Sequence, residues 1–502
     1  RDLAEKTKLA NHKAGLSDQQ KQDIINQTDA LNKRQLQKDD ESILPKVGLE
    51  DVPADIHVIE GHSSQLGSMP SHSYAQGTNG LVYQEILIEL PPLSDELLAL
   101  LPYYSNSLTE LGVGDKDYLQ VQAWQAEVCG GISASITMRA VVDDEQSIKS
   151  FLVLSSKALA RNQQPLAELM QQTLQAVRFD ELPRLHELLK QQRAAREQSV
   201  TNSGHILAMS AACSGMSPTA ALSHELGGLA GIQSVKTLDE GLGHNDGLAH
   251  YAASLNELHQ LIMTAPKQLL LIAEADKLAD CQQSIAQLWT GQNHTNAQPF
   301  QPKPVRNQTK QLWVANTQVN FCAKAYPTVT VSHPDAAPLT VLGGFLLNGF
   351  LHRVIREQGG AYGSGGSQDS TIAAFRFFSY RDPRLEDTLD DFDQSIQWML
   401  ETDHEAETLE QAILGVISGL DKPGSPAGEA KQAFHSNLFG RSPEQRRKFR
   451  QQLLQVTLDD LKRVTRQYLK PELASVAVIT SSSNFQRLDD FVIAQQLKVT
   501  TL

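Results

Sequence analysis

Cysteine is scarce in this 502-residue chain, and its four copies lie far apart without a CxxC pair. That spacing argues against a structural zinc site and against a fold held by many disulfides. We expect reduced, buried thiols in a reducing compartment, with two disulfides in an envelope compartment as the alternative. The cysteines are Cys129, Cys213, Cys281 and Cys322.

Positive charge is also in short supply, because 44 Lys and Arg face 58 Asp and Glu, for a net charge of −14. An acidic chain is repelled by phosphate backbones, so we expect no nucleic-acid partner. Cationic peptides remain compatible with this charge. The hydrophobic fraction of 40% and the charged fraction of 20% are ordinary for a soluble globular protein.

Long hydrophobic runs are missing. The longest apolar stretch, Val341 to Leu351, contains an asparagine and is shorter than the ~20 residues that a membrane span needs. The first residues, RDLAEKTKLANHKAG, lack the hydrophobic region of a secretory signal. The chain begins without Met, from which we expect an upstream part. A soluble protein of the bacterial cytoplasm or an organelle matrix is favoured, with the periplasm as the alternative.

The common catalytic motifs do not occur either. Three His-Glu pairs are present, but none continues to HExxH, and HxxEH does not occur. Helical ligands must lie one turn apart to share a metal ion, so we predict no metal site in this chain. The GxSxG nucleophile elbow is missing as well. The His-Glu pairs begin at His186, His224 and His404.

The sequence does contain a pattern that occurs twice. Each copy has a strand, a helix, a Gly-Gly pair, further strands, helices, and a closing strand followed by a helix. The Gly-Gly pairs are residues 130–131 and 359–360. We therefore predict an α+β fold of two homologous domains, each with a mixed or antiparallel sheet and helices packed on one face.

Composition predicts the boundaries of these parts. Residues 1–48 are polar, with Ser17 as the N-cap of a solvated helix, and are predicted to form a helical hinge or connector. The first α+β domain is predicted at 49–292 and the second at 310–502. The linker, about 291–310, is polar and contains three prolines.

The stretch REQGGAYGSGGSQDS, residues 356–370, follows a strongly apolar helical run. A phosphate loop runs strand, glycines, helix, whereas these glycines follow a helix and lie at the negative end of its dipole. Phosphate binding is therefore disfavoured. Gly359 is predicted to cap the helix in the left-handed conformation. On that interpretation Tyr362 is only the first aromatic residue of a strand.

A functional interpretation requires two donors that converge. Arg356 leaves the end of the helix and Tyr362 follows the turn, so a guanidinium and a phenol would both donate to one carbonyl oxygen. Such donors stabilise the oxyanion that forms when water attacks a peptide bond. They assist the reaction, and the activated water has to come from another part of the protein.

The same tract resembles the C-terminal half of the pitrilysin/insulinase-like zinc peptidases, in particular the presequence-protease subgroup. Gly-Gly-Ala-Tyr-Gly followed by FSYRDP is typical of that subgroup. The resemblance covers essentially the whole chain, since further stretches agree, among them LPKVGLEDVPADI, CGGISAS, SGHILAMSAACSG and NTQVNFCAKA.

The resemblance implies four homologous domains in two halves, joined by a helical hinge and closed around a chamber. The zinc site, HxxEH plus a distal Glu, lies in the first domain. This chain would then hold the end of the hinge and the third and fourth domains. It would bind no cofactor itself, and Zn²⁺ and the general base would come from its partner, the N-terminal half.

The resemblance also assigns roles to particular residues. Arg356 and Tyr362 are implied to be catalytic and substrate-binding residues that bind the substrate carbonyl, with Arg353 as a further companion. Gly359 and Gly360 belong to the same substrate-binding segment. The implied reaction is zinc-dependent hydrolysis of short unstructured peptides, with this chain inactive alone. The alternative is a non-catalytic scaffold or partner subunit of the same fold.

Overall fold

The computed structural model describes residues 2–37, 43, 45–53, 55–67, 69–243, 246–289 and 298–502. The chain forms two compact units, Arg1–Val52 and Pro53–Leu502. Most of the predicted linker at 291–310 precedes residue 298 and lies outside the described residues. The predicted domain limits of 49–292 and 310–502 therefore remain predictions.

The first unit contains two helices, α1 (Asp2–Ala14) and α2 (Asp18–Leu36). The hydroxyl of Ser17 accepts from the N–H of Gln20 at 3.2 Å, and the Gln20 side chain accepts from the N–H of Ser17 at 2.9 Å. This reciprocal pair is a capping box, so the N-cap predicted at Ser17 is confirmed.

The second unit holds both halves of the repeated pattern, and each half contains a six-stranded mixed sheet. The strands of the first sheet are β1 (His62–Leu66), β2 (Met69–Ala75), β3 (Leu81–Glu89), β4 (Ile132–Val141), β5 (Asp144–Leu159) and β6 (Lys267–Ala273). Those of the second are β7 (Lys310–Val314), β8 (Phe321–Pro327), β9 (Gly363–Asp369), β10 (Ala374–Tyr380), β11 (Ser475–Thr480) and β12 (Lys498–Thr501).

The two sheets share one topology. The first has the order β1-β2-β6-β3-β5-β4 and the second β12-β7-β11-β8-β10-β9. In the five strands that correspond, only the pairs β2–β6 and β7–β11 are parallel. The remaining corresponding pairs are antiparallel in both sheets. The predicted α+β fold of two homologous copies is therefore confirmed.

Helices of the second unit lie between and after these strands. In the first copy they are α3 (Asp95–Ser107), α4 (Tyr118–Val128), α5 (Gln163–Ala176), α6 (Leu182–Cys213), α7 (Pro218–Gly227), α8 (Leu229–Leu242), α9 (Gly247–Met263) and α10 (Leu278–Leu288). In the second they are α11 (Ala336–Leu346), α12 (Glu386–Glu401), α13 (Ala406–Leu420), α14 (Pro426–Leu438), α15 (Pro443–Leu454), α16 (Leu458–Tyr468), α17 (Ser482–Phe485) and α18 (Asp489–Gln495). Helix α11 continues as a π-helix over Leu347–Gln358.

Both faces of the first sheet are buried. Alternate residues of β3 point to opposite faces, so Ile86 packs with the helices of its own copy while Leu87 packs against α14 of the second copy. Conversely, Ala208 in α6 of the first copy packs into the core that contains Phe321 of β8. The two copies are thus interlocked, and each covers a face of the other's sheet.

One helix among the described residues, Ala336–Gln358, is long and apolar enough to cross a membrane by length and composition, with a mean hydropathy of 1.3. In the protein, however, 56% of that window is buried. Leu339, Leu342 and Leu346 are fully buried. This helix therefore belongs to the core of the second copy.

The four cysteines are free thiols. Cys213, Cys281 and Cys322 are buried and Cys129 is half-buried. Burial raises the pKa of Cys213 to about 12 and that of Cys281 to about 11, so both thiols stay protonated at neutral pH. The reduced state expected from the sequence is the state in the structure.

Candidate functional site

The helix that carries Arg356 ends in the π-helical segment Leu347–Gln358. A π-helix pairs each N–H with the carbonyl five residues back, as the N–H of Gly359 does with Val354 at 2.9 Å. The sequence predicts an ordinary helix here, because apolar spacing does not distinguish the two. Segments of this kind occur frequently at functional sites.

The predicted left-handed cap at Gly359 is wrong by one residue. Gly359 has φ −80°, an ordinary value, whereas Gly360 has φ +80°. The π-helical ending explains the difference, because it places one more residue in the last turn. The N–H of Gly360 donates to the carbonyl of Arg356 at 3.1 Å, which closes the helix before the chain reverses.

Gly359 instead leaves room for a neighbouring side chain. A Cβ atom at this position would overlap the guanidinium of Arg384. That guanidinium donates to the buried carboxylate of Asp391 at 2.8 Å. The bare glycine therefore ties the end of the helix to the loop that follows β10.

We expect Gly359→Ala to lower the free energy of unfolding by roughly 1–3 kcal/mol, because Arg384 has to move away from Asp391. Gly415→Ala in α13 is the matched control, since a Cβ there meets nothing within 4 Å. The control is expected to raise stability by about 0.5–1 kcal/mol. Urea denaturation measures both changes. The same shift in both variants would exclude the packing role of Gly359.

The structure brings Arg356 and Tyr362 together. The guanidinium carbon of Arg356 lies 5.9 Å from the centre of the Tyr362 ring, within cation–π range. Both side chains are exposed, Tyr362 to 66%. Within the described part of the chain, neither the guanidinium nor the phenol has a hydrogen-bond partner. Both donors are therefore available to a ligand.

The position of Tyr362 is set by β10. Its N–H donates to the carbonyl of Tyr380 at 3.0 Å, and the two rings meet edge-on with centroids 5.5 Å apart. The Tyr380 hydroxyl in turn donates to the carbonyl of Asn202 at 3.2 Å, next to a break in α6 at Ser203. A helix of the first copy thus helps to hold the aromatic pair of the second.

Arg381 is a neighbour of the pair that the sequence patterns did not single out. It has φ +50°, unusual for a residue other than glycine, and its guanidinium lies 5.4 Å from the Tyr380 ring centre. The FSYRDP motif that contains it was the available signal. Arg353 is exposed one turn before Arg356 but is not among the ring contacts of the pair.

The His-Glu pairs of the sequence have structural contacts. His186 lies 3.2 Å from the Asp239 carboxylate, and His404 lies 3.1 Å from the carbonyl of Met399. Burial lowers the pKa of His224 to about 4, which keeps it neutral. In the ranges that the structure describes, no group of three His, Cys, Asp or Glu side chains is placed to hold a metal ion.

Comparisons with known proteins agree on one family. A model for the domain associated with peptidase family M16, subfamily C, matches residues 1–238, and one described as "PreP C-terminal domain" matches residues 310–482. The mitochondrial presequence protease of Yarrowia lipolytica is 30% identical, over 94% of this chain and 48% of that protein. Presequence protease 1 of Arabidopsis thaliana, chloroplastic/mitochondrial, is 26% identical, over 92% and 43%. The chain spans about half the length of these relatives.

Solved structures share the fold. A peptidase M16 inactive domain from Pseudomonas fluorescens superposes with a TM-score of 0.59 at 15% identity, covering 84% of this chain and 98% of that one. A conserved protein from Enterococcus faecalis gives a TM-score of 0.62 at 14% identity, with 84% and 99% covered. The chain belongs to the pitrilysin-like M16 peptidase family. Within that family it corresponds to the C-terminal half of the presequence proteases.

Proposed function

We propose that this chain is the substrate-binding C-terminal half of a zinc-dependent endopeptidase that degrades short, unstructured peptides in a closed chamber. The observation that carries the proposal is the Arg356–Tyr362 pair, two exposed donors held 5.9 Å apart at the end of a π-helix. Nothing else in the described residues uses them, although an acidic chain offers carboxylates in excess.

In this proposal Arg356 orients and polarises the scissile carbonyl, and Tyr362 donates to the oxyanion as it forms. An arginine stays charged throughout the reaction, so it stabilises negative charge without giving up its proton. Zn²⁺ and the general-base Glu belong to the N-terminal half, where the metal activates the attacking water. Tyr380 holds the phenol in place through the ring contact and the backbone hydrogen bond.

The partners proposed for the chain are peptide substrates and the N-terminal zinc-bearing half. The exposed residues Arg353, Arg356 and Arg381 make the surroundings of the pair positive. A preference for cationic peptides would therefore have to arise elsewhere in the chamber. Because its relatives are named mitochondrial or chloroplastic, we place the protein in a soluble compartment, the bacterial cytoplasm or an organelle matrix.

The isolated chain is expected to bind substoichiometric zinc and to cleave no peptide, because the ligands and the general base lie in the other half. Metal analysis by mass spectrometry and a quenched fluorescent peptide measure the two properties. Adding the zinc-bearing half should then produce hydrolysis. One tightly bound zinc per isolated chain would contradict the proposal. Hydrolysis that does not depend on this chain would favour the scaffold alternative.

A further inference from the structure

A cavity of about 460 Å³ lies between the extended segment 53–59 and helices α14 and α15. Pockets for small molecules typically measure roughly 300–1,000 Å³. Apolar side chains line part of this one, among them Ile56, Ile59 and Phe449, and charged side chains line the rest. None of the lining residues belongs to the Arg356–Tyr362 pair.

The carboxylates that line the cavity already have partners. Asp55 accepts from Arg447 at 2.6 Å, and Asp421 accepts from Arg450 at 2.6 Å. Glu429 accepts from a backbone N–H at 3.1 Å. These acids are therefore committed to the protein's own donors.

Three cations of the cavity have no such commitment. Within the described residues, the side chains of Lys422, Arg441 and Arg446 make no hydrogen bond and no ion pair, although all three line the cavity. Their grouping runs against the net charge of −14, since acidic partners are in excess over the chain as a whole. The cavity therefore carries positive charge that the protein itself does not neutralise.

Arg441 has the least favourable surroundings of these cations. Its side chain remains accessible to solvent inside the cavity, yet burial by the surrounding protein lowers its pKa. Asp369 opposes this shift, while the like charges of Arg139 and Arg446 add to it. An arginine keeps its proton even so. A bound anion would relieve the repulsion among these three guanidinium groups.

We propose that this cavity binds a carboxylate or phosphate group joined to an apolar body. Arg441 and Arg446 hold the anionic oxygens in charge-assisted hydrogen bonds, and the apolar lining contacts the body. Such a group has two sources, the free C-terminal carboxylate of a short peptide and an organic phosphate. The peptide source rests on the proposed function, whereas the anion site itself does not.

Isothermal titration of the isolated chain tests the site with three probes: a short apolar peptide, the same peptide amidated at its C-terminus, and phenyl phosphate. We expect the free peptide to bind at least about tenfold more tightly than the amide, the effect of one charge-assisted hydrogen bond. Arg441→Gln and Arg446→Gln should each weaken binding by a similar factor, and Arg441→Lys should retain most of it.

Arg466→Gln is the matched control, because Arg466 is an exposed arginine of α16 outside the cavity. It should leave binding unchanged. Binding of phenyl phosphate alone supports the site with a phosphate as its ligand. Three results would overturn the proposal: no binding of either anion, equal binding by wild type and Arg441→Gln, or binding lost in Arg356→Ala but kept in Arg441→Gln. None of these readouts requires hydrolysis, so failure of the proposed catalytic role is seen separately.

Discussion

Tyr362→Phe is expected to lower kcat of the complete enzyme about 10²-fold, and Arg356→Ala by a similar factor, because each removes one donor to the oxyanion. The complete enzyme here means this chain together with the zinc-bearing half. Both side chains are exposed, so the fold does not depend on them and the free energy of unfolding should change by less than about 0.5 kcal/mol. Steady-state kinetics with a quenched fluorescent peptide measures the loss.

Tyr118→Phe is the matched control for this experiment. Tyr118 also lies under an arginine, Arg184, whose guanidinium carbon is 4.7 Å from the ring centre. Its hydroxyl has no hydrogen-bond partner among the described residues. The control keeps the arginine–tyrosine packing and removes a phenol without a proposed role, so kcat should not change. Equal kcat values for Tyr362→Phe and the control would remove the phenol from the mechanism.

Glu85→Ala should destabilise the chain by roughly 3–5 kcal/mol, the typical cost of removing one partner from a buried ion pair. Glu85 is buried in β3 and accepts from Lys431 at 2.6 Å, from His435 at 2.9 Å and from Ser155 at 3.0 Å. Lys431 and His435 belong to α14 of the second copy, so the cluster joins the two interlocked copies. Glu127→Ala, at an exposed site in α4, should change stability by less than about 0.5 kcal/mol.

The same cluster predicts a dependence of stability on pH. Burial alone raises the pKa of Glu85, but the hydrogen bonds from His435 and Lys431 outweigh it and bring the pKa to about 2 from the usual 4.5. The folded pKa lies below the unfolded one, so the carboxylate stabilises the fold above pH 4.5, and this contribution is lost as pH falls toward 2. Glu85→Gln should flatten the stability profile over that range. An unchanged profile would show that Glu85 does not contribute.

The sequence predicted the central strands well, for a physical reason. The apolar runs at 81–90 and 268–275 became β3 and β6, because strands buried on both faces need apolar residues at every position. Strands β1 and β2 were not predicted, since HSSQL and MPSHSYA carry polar side chains that resemble a loop. Apolar patterns also cannot say which surface a helix meets, so the packing of α14 on the first sheet was missed.

The candidate site was predicted in part. The sequence order placed Arg356 and Tyr362 on either side of a turn, and the turn indeed brings them together. The left-handed residue was assigned to Gly359 instead of Gly360 because a π-helical ending leaves no mark in the apolar spacing. The cavity around Arg441 was not predicted at all, because it is built from segments almost 400 residues apart, as the 392-residue separation of Asp55 and Arg447 shows.

The most direct test of the proposed role is kcat of the double variant Arg356→Ala/Tyr362→Phe in the complete enzyme. Both donors act on one oxygen, so their effects should not add fully, and the loss should exceed about 10²-fold while remaining smaller than the product of the two single losses. KM for the peptide should change less than kcat. A double variant with the kcat of the wild type would contradict the proposal that this chain supplies the oxyanion donors.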